Sequence, residues 1–113
     1  MKNKYHVSEA GQRTVDGIVF HSKKEATRYM ELKLLQSQGV ISDLELQPKF
    51  QWQTTYSANE RSVGRQHSYR ADFAYNDDDG NRIIEDVKGY RTAEYKRKKK
   101  IVEHLYEIKI KEI

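Results

Sequence analysis

The sequence of 113 residues has no cysteine, one proline and six glycines. Without thiols it can hold neither a disulfide nor a zinc ribbon, and it offers no thiol nucleophile. It also has no apolar run of membrane length and no signal-peptide pattern, so we expect a cytoplasmic protein. What remains is one charged domain over residues 1–113, in which residues 1–12 are expected to form an arm.

A hairpin is predicted near the centre of the chain. Residues 69–75 alternate in the manner of a strand that carries Asp72 on its polar face. The apolar face of that strand is expected to comprise Tyr69, Phe73 and Tyr75. Residues 76–81 then predict a three-residue loop with Gly80 in the left-handed position.

The register of this hairpin gathers charged side chains on one face. Counting back from the loop sets Asp72 opposite Asp86, with the two carboxylates roughly 5 Å apart at Cβ. The same count sets Arg70 opposite Lys88, while Glu85 points to the other face. Like charges directly opposite each other need a cationic neighbour, a proton or a metal ion. Oxygen-only ligands suit Mg²⁺ or Mn²⁺.

Two interpretations of this face stay open on the residues alone. In one, Asp72 and Asp86 are ordinary solvent-facing acids and Lys88 is their ion-pair partner. In the other, Lys88 places a charge on a scissile phosphate or orients an attacking water. Gly89 directly follows Lys88, and the backbone can bend away there and leave room for a ligand.

A helix is predicted to begin at Ser22 and to stop at Gly39. Ser22 and Glu25 form an S-x-x-E capping pattern, so Glu25 is either a capping residue or a third acid for the metal. Met30 belongs to the apolar stripe of this helix and is expected in the core. Farther along, Gln47 is either an ordinary outward residue or a side chain that touches a metal-bound water beside Asp72.

The remaining segments before the central hairpin are less informative. Asp16-Gly17 predicts a tight hairpin turn. Residues 44–53 alternate as one strand, with Pro48 at an edge or a bulge. The inward side chains of that strand are expected to be Leu44, Leu46, Phe50 and Trp52. Residues 57–67 are interpreted as a polar loop.

The last region is a basic helix capped by Thr92, followed by a final strand within residues 107–113. Its buried stripe is expected to comprise Tyr95, Val102 and Leu105. Its cations, including those just before it, are Arg91, Lys96, Arg97, Lys98, Lys99 and Lys100. A solvated helix face and a surface that tracks phosphates are equally good interpretations of this run.

The element order and the motifs together resemble the PD-(D/E)XK nuclease superfamily. More narrowly, the chain resembles small phage- and prophage-encoded endonucleases related to Holliday-junction resolvases. The motifs that carry this resemblance are Asp16-Gly17-Ile18, Leu46-Gln47-Pro48, Ala71-Asp72-Phe73 and Glu85-Asp86-Val87-Lys88-Gly89. Ala71 stands where the superfamily name has a proline. The resemblance implies an α/β (α+β) fold with a restriction-endonuclease-like αβββαβ core, in which two helices flank a central, mostly antiparallel mixed sheet.

The resemblance also implies a function. Asp72, Asp86 and Glu25 would bind Mg²⁺ or Mn²⁺, and Lys88 would assist the attacking water. The expected activity is metal-dependent hydrolysis of DNA, acting on branched or recombination intermediates, with Arg70 and the basic helix binding the DNA. A homodimer is expected because one small active site can cut only one strand per encounter. The alternatives are a non-catalytic nucleic-acid-binding accessory protein in recombination and an RNA-processing nuclease.

Overall fold

The computed structural model describes residues 9–59, 61–87 and 92–113. It contains a short 3-10 helix (Ala10–Arg13), two α-helices and eight strands. In chain order the elements are β1 (Thr14–Val15), β2 (Ile18–Val19), α1 (Lys23–Ser37), β3 (Ser42–Leu46), β4 (Lys49–Ala58), β5 (Arg61–Arg70), β6 (Phe73–Asn76), β7 (Arg82–Asp86), α2 (Ala93–Leu105) and β8 (Ile110–Glu112). Of the expected N-terminal arm, only residues 9–12 are described, and the last three of these begin the 3-10 helix.

The central sheet has the strand order β3-β6-β7-β8. Its first two pairings are antiparallel and the β7–β8 pairing is parallel. Side chains of α1 share one buried cluster with Phe73 and Tyr75, while Val102 of α2 shares another with Ala74 and Ile84. A helix therefore covers each face, which confirms the predicted α+β class with a mixed, mostly antiparallel sheet.

The helix and turn signals of the sequence act as predicted. Asp16 and Gly17 turn the chain between β1 and β2 with φ angles of 53° and 76°. Ser22 caps α1 by accepting a 3.1 Å hydrogen bond from the Glu25 backbone N–H, and Gly39 follows its C-terminus with a φ of 76°. Thr92 caps α2 in the same way as Ser22 caps α1.

The β6–β7 hairpin has the predicted register. Phe73 pairs with Glu85, and Asn76 pairs with Arg82. Its loop is closed by a 2.9 Å hydrogen bond from the Asp77 N–H to the Asn81 carbonyl. Beyond Phe73 the register departs from the prediction, because the Asp72 N–H donates to the Glu85 carbonyl at 3.0 Å. The prediction that Asp72 and Asp86 share a face is wrong, since Asp72 lies beside residues of the α1-side cluster whereas Asp86 binds Tyr95 of α2.

Two predicted strands are each broken into two by a shared kink. Gln47 has a φ of 52° and donates its N–H to the Asp72 carbonyl at 2.8 Å, while the Ala71 N–H donates to Pro48 at 3.0 Å. Leu46 pairs with Phe73 before the kink and Lys49 with Arg70 after it. The pairing register therefore continues through the kink although the strands bend.

The kink makes two predictions of side-chain orientation wrong. Leu44 and Leu46 pack in the cluster on the α1 side, whereas Phe50 and Trp52 pack in the cluster on the α2 side. Tyr69 likewise lies in the α2-side cluster, apart from Phe73 and Tyr75. The positive φ of Gln47 interrupts the strict alternation of residues 44–53. The break between β5 and β6 at residues 71–72 interrupts that of residues 69–75.

Three other expectations are also wrong. The predicted polar loop is the end of a long hairpin, because β4 and β5 pair without a shift from Lys49↔Arg70 to Ala58↔Arg61. Its sequence shows no amphipathic alternation, so no periodic pattern marked it as strands. Met30 and Leu105 are about half exposed, at 49% and 52%, because each helix contacts the sheet over a narrower stripe than its apolar residues cover.

Candidate metal site and nucleic-acid surface

A cavity of about 220 Å³ lies beside the kink. Three of the predicted site residues line it, namely Glu25, Gln47 and Asp72. They come from the first turn of α1, from the kink and from the link between β5 and β6. The apolar part of the wall comprises Ile18, Val19, Phe20 and Leu46. The fold thus brings together oxygen donors that are far apart in the sequence.

Glu25 is 3% exposed and lies in the first turn of α1. Its backbone N–H binds the Ser22 hydroxyl, which is the predicted cap. Its carboxylate Oε2 is 3.7 Å from Nδ1 of the exposed His21. The capping by Ser22 therefore uses the Glu25 backbone, and the buried carboxylate faces the cavity.

Asp72 lies in the link between β5 and β6, where a backbone N–H fixes its side chain. It is 6% exposed, and its Oδ2 accepts a 2.6 Å hydrogen bond from the Val87 N–H. Because Val87 directly follows β7, this bond fixes the Asp72 carboxylate against the end of that strand.

Asp86 is fully buried and does not line the cavity. Its Oδ2 accepts hydrogen bonds from the hydroxyl of Tyr69 and, at 3.2 Å, from the hydroxyl of Tyr95. Tyr95 comes from α2, so Asp86 faces the α2 side of the sheet. The sequence had marked both tyrosines only as core residues, and nothing in their spacing signalled a bond to Asp86.

Glu85 points to the opposite face, as the alternation predicted. Arg28 of α1 holds both of its oxygens, with 2.8 Å from Nε to Oε1 and 2.6 Å from Nη2 to Oε2. The Tyr75 hydroxyl also donates to Glu85. The bond to Glu85 raises the pKa of Arg28 above its ordinary value, and burial raises the pKa of Tyr75 to about 12. The 57 residues between Arg28 and Glu85 explain why no local pattern showed this pair.

The predicted DNA-binding cations fall into two groups. Lys98 lies 3.5 Å from Glu94 and Lys99 lies 2.6 Å from Glu112, so part of their charge is compensated within the fold. Lys96, Arg97 and Lys100 of α2 are exposed, as is Arg70 at the end of β5. Lys88 and Arg91, which were predicted to assist water and to bind DNA, lie outside the described residues.

An acidic cluster lies at the β6–β7 loop, where the carboxylates of Asp77, Asp78 and Asp79 come within 4.8 Å of one another. Asp77 Oδ1 accepts hydrogen bonds from the N–H groups of Asp79 and Asn81. This cluster closes a turn and lies away from the cavity.

Residues 2–113 match the model of a family described as Protein of unknown function (DUF1064). The chain belongs to this family. No curated protein and no solved structure matches the DUF1064 chain. In the part of the chain that the structure describes, neither helix is long and apolar enough to cross a membrane.

Proposed function

We propose that this DUF1064 protein is a metal-dependent DNA endonuclease that acts on branched or recombination intermediates of phage DNA. The observation that carries the proposal is the cavity itself, which collects Glu25, Gln47 and Asp72 from three separate elements. Acids buried beside one another are costly, and a fold that assembles them gains most when a cation occupies the space between them.

The donor atoms fit a hard divalent cation. Glu25 and Asp72 offer carboxylate oxygens and Gln47 offers an amide oxygen, a set that suits Mg²⁺ or Mn²⁺. Asp86, which is buried outside the cavity, is the fourth candidate. When bound, such a cation supplies positive charge to the scissile phosphate and makes a water molecule more acidic.

The chain's own residues support this chemistry from both sides. The Val87 N–H orients Asp72, and two tyrosine hydroxyls orient Asp86. The exposed cations of α2 would attract the phosphate backbone without reading sequence. Lys88, outside the described residues, keeps its proposed role of assisting the attacking water.

The test is a panel of linear, nicked, flapped and four-way-junction DNAs incubated with Mg²⁺ or Mn²⁺ and then with a chelator. Cleavage that the chelator abolishes is expected on at least one substrate. Parallel incubation with RNA duplexes separates a deoxyribonuclease from an RNA-processing enzyme. If no substrate is cut with either metal, the enzyme proposal is wrong.

Two variants locate the activity in the cavity. Asp72→Asn should abolish cleavage, whereas Asp78→Asn in the exposed β6–β7 loop is the matched control and should leave it unchanged. Glu25→Gln separates metal binding from helix capping, because glutamine can still act in a capping box. Lost activity at an unchanged melting temperature identifies Glu25 as a metal ligand.

We also propose a homodimer, since paired incisions need two sites and an isologous dimer is the commonest way to supply them. Sedimentation of the full chain at micromolar concentration, with and without junction DNA, measures this directly. A monomer under both conditions contradicts the dimer without affecting the assignment of the cavity.

The second candidate is a non-catalytic accessory protein that binds nucleic acid. The full burial of Asp86 outside the cavity favours it, because an acid withdrawn beneath the surface leaves fewer ligands for a metal. This candidate predicts DNA binding that needs no metal and is followed by no cleavage. Asp72→Asn would then leave binding unchanged.

A further inference from the structure

The β4–β5 ribbon is a two-stranded sheet that extends beyond the central sheet. Its ten unshifted pairs give it a length of about 33 Å, at about 3.3 Å per residue. The molecule measures 55 × 45 × 22 Å, and its radius of gyration is 17.2 Å. A compact chain of this length would have a radius of gyration of about 13 Å. The protein is therefore elongated.

The root of the ribbon is fixed to α2 and to the residue after it. The Tyr106 hydroxyl donates to the Gln51 carbonyl at 2.6 Å, and the Phe50 and Tyr106 rings lie edge to face with centroids 5.1 Å apart. Trp52 and His67 stack across the strands at 5.3 Å. These contacts join the root of the ribbon to the end of the basic helix.

One face of the ribbon, here called the amide face, is exposed and polar along its described length. Because directly paired residues share a face, it comprises Lys49, Gln51, Gln53 and Thr55 of β4 and Gly64, Gln66, Ser68 and Arg70 of β5. It contains no acid and no apolar side chain, and two cations lie at its root. A face of this kind has no use in a hydrophobic core, whereas its charge complements a polyanion.

The middle of the amide face is shaped by Gly64. A Cβ placed there would lie 2.3 Å from Nε2 of Gln53, so the Gln53 amide occupies the space that a side chain would otherwise fill. Gln53 pairs directly with Gln66. Two primary amides thus lie side by side on the outer surface of a ribbon.

We propose that the amide face enters the major groove of duplex DNA and contacts base edges through Gln53 and Gln66. The major groove admits a two-stranded ribbon, and a glutamine amide can pair with N6 and N7 of adenine. Lys49 and Arg70 would contact phosphates at the groove edge. The inference rests on the proposed function for its choice of DNA, and it adds which surface reads the substrate.

The test compares binding of the full chain, in chelator, to a mixed-sequence duplex and to the same duplex with 7-deazaadenine at each adenine. Wild type should bind the modified duplex about tenfold more weakly, because one bidentate pair contributes roughly 1–3 kcal/mol. Gln53→Ala/Gln66→Ala should bind the natural duplex about tenfold more weakly and should not distinguish the two. Tyr56→Ser, on the opposite face of the ribbon, is the control and should behave as wild type.

Gly64→Ala is a second variant that keeps both glutamines. It displaces the Gln53 amide, so it should reduce the discrimination between the two duplexes without altering the charge of the face. Melting temperatures equal to that of wild type are expected for all three variants, since the substituted side chains are exposed.

Equal binding of both DNA duplexes by wild type would overturn the ribbon proposal. Binding of an RNA duplex as tightly as DNA would also overturn it, because the A-form major groove is too narrow to admit the ribbon. Cleavage measured on the same samples with Mg²⁺ keeps the two proposals separate. Discrimination without cleavage supports the ribbon and contradicts the nuclease, whereas cleavage without discrimination does the reverse.

Discussion

Glu85 and Asp86 are neighbours on β7 and both are fully buried, yet they face opposite sides of the sheet and have different surroundings. Glu85 meets a guanidinium that binds both of its oxygens, with a tyrosine hydroxyl beside it. Asp86 accepts hydrogen bonds from the hydroxyls of Tyr69 and Tyr95.

The difference separates a structural acid from a candidate functional one. A buried carboxylate with a bidentate arginine has its charge compensated within the fold and needs nothing from outside. The tyrosine hydroxyls on Asp86 carry no positive charge, and a cation bound near this acid would stabilise it. Glu85 is therefore proposed to be structural, and Asp86 is proposed to support function.

The largest expected effect is on cleavage. Asp86→Asn should lower activity about 10³-fold or more, because charge stabilisation by a metal site is worth several kcal/mol. Glu85→Gln should leave most of the activity of the folded protein, since this side chain binds Arg28 and does not line the cavity. Initial cleavage rates on the best substrate of the panel measure both. The opposite ranking would mean that the two acids have been assigned to the wrong roles.

The free energy of unfolding should depend more on Glu85 than on Asp86, which is the reverse of the order for cleavage. Glu85→Gln removes one partner of the buried ion pair and should lower the free energy of unfolding by about 3 kcal/mol. Glu31→Gln is the matched control, because Glu31 also binds Arg28 at 2.8 Å but its side chain is 55% exposed. Loss of such a surface pair should cost under about 1 kcal/mol. Urea unfolding of wild type and the two variants measures these losses, and equal losses would contradict a structural role for Glu85.

Alkaline pH should lower the free energy of unfolding, because it ionises Tyr75, whose hydroxyl donates a hydrogen bond to Glu85. The pKa of Tyr75 is raised from 10.0 to about 12, chiefly by burial and then by its bond to Glu85. Since the folded-state pKa lies above the unfolded one, the protonated hydroxyl stabilises the fold fully below about pH 10 and progressively less toward pH 12. Tyr75→Phe should flatten this part of the urea midpoint profile. Tyr56→Phe, at a side chain 56% exposed, should keep the wild-type slope.

The smallest effect concerns the cations on the two helices. Lys96→Ala/Lys100→Ala on α2 should reduce the salt dependence of DNA binding by roughly 0.9 in logarithmic slope for each lost phosphate contact. These two lysines are better choices than Lys98 and Lys99, which bind acids within the fold. Lys33→Ala, exposed on α1, is the control. An unchanged salt dependence for the α2 variant would mean that the lysines of α2 form a solvated helix face and do not bind phosphates.

Short-range signals in the sequence predicted much of the fold. The Asp16-Gly17 turn, the Ser22 cap, the Gly39 stop and the register of the β6–β7 hairpin all depend on residues within a few positions of one another. Backbone preferences and local hydrogen bonds determine such features, so they can be inferred without knowledge of the rest of the chain. The opposite orientation of Glu85 and Asp86 followed from the same period of two.

The hydrophobic pattern led to wrong predictions for two segments of the chain. Residues 44–53 alternate cleanly, but the positive φ of Gln47 turns Phe50 and Trp52 to the other side of the sheet. Residues 57–67 show no such alternation, so the ribbon could not be told from a loop by hydrophobic pattern.

By itself, then, the sequence determined the two capped helices and the central hairpin, because each depends on local geometry. Only the tertiary structure decided that Arg28 pairs with Glu85, that Tyr69 and Tyr95 hold Asp86, and that Glu25 and Gln47 share a cavity with Asp72. Those contacts join residues from separate elements. They arise from the way in which the helices pack on the sheet, which no local spacing encodes.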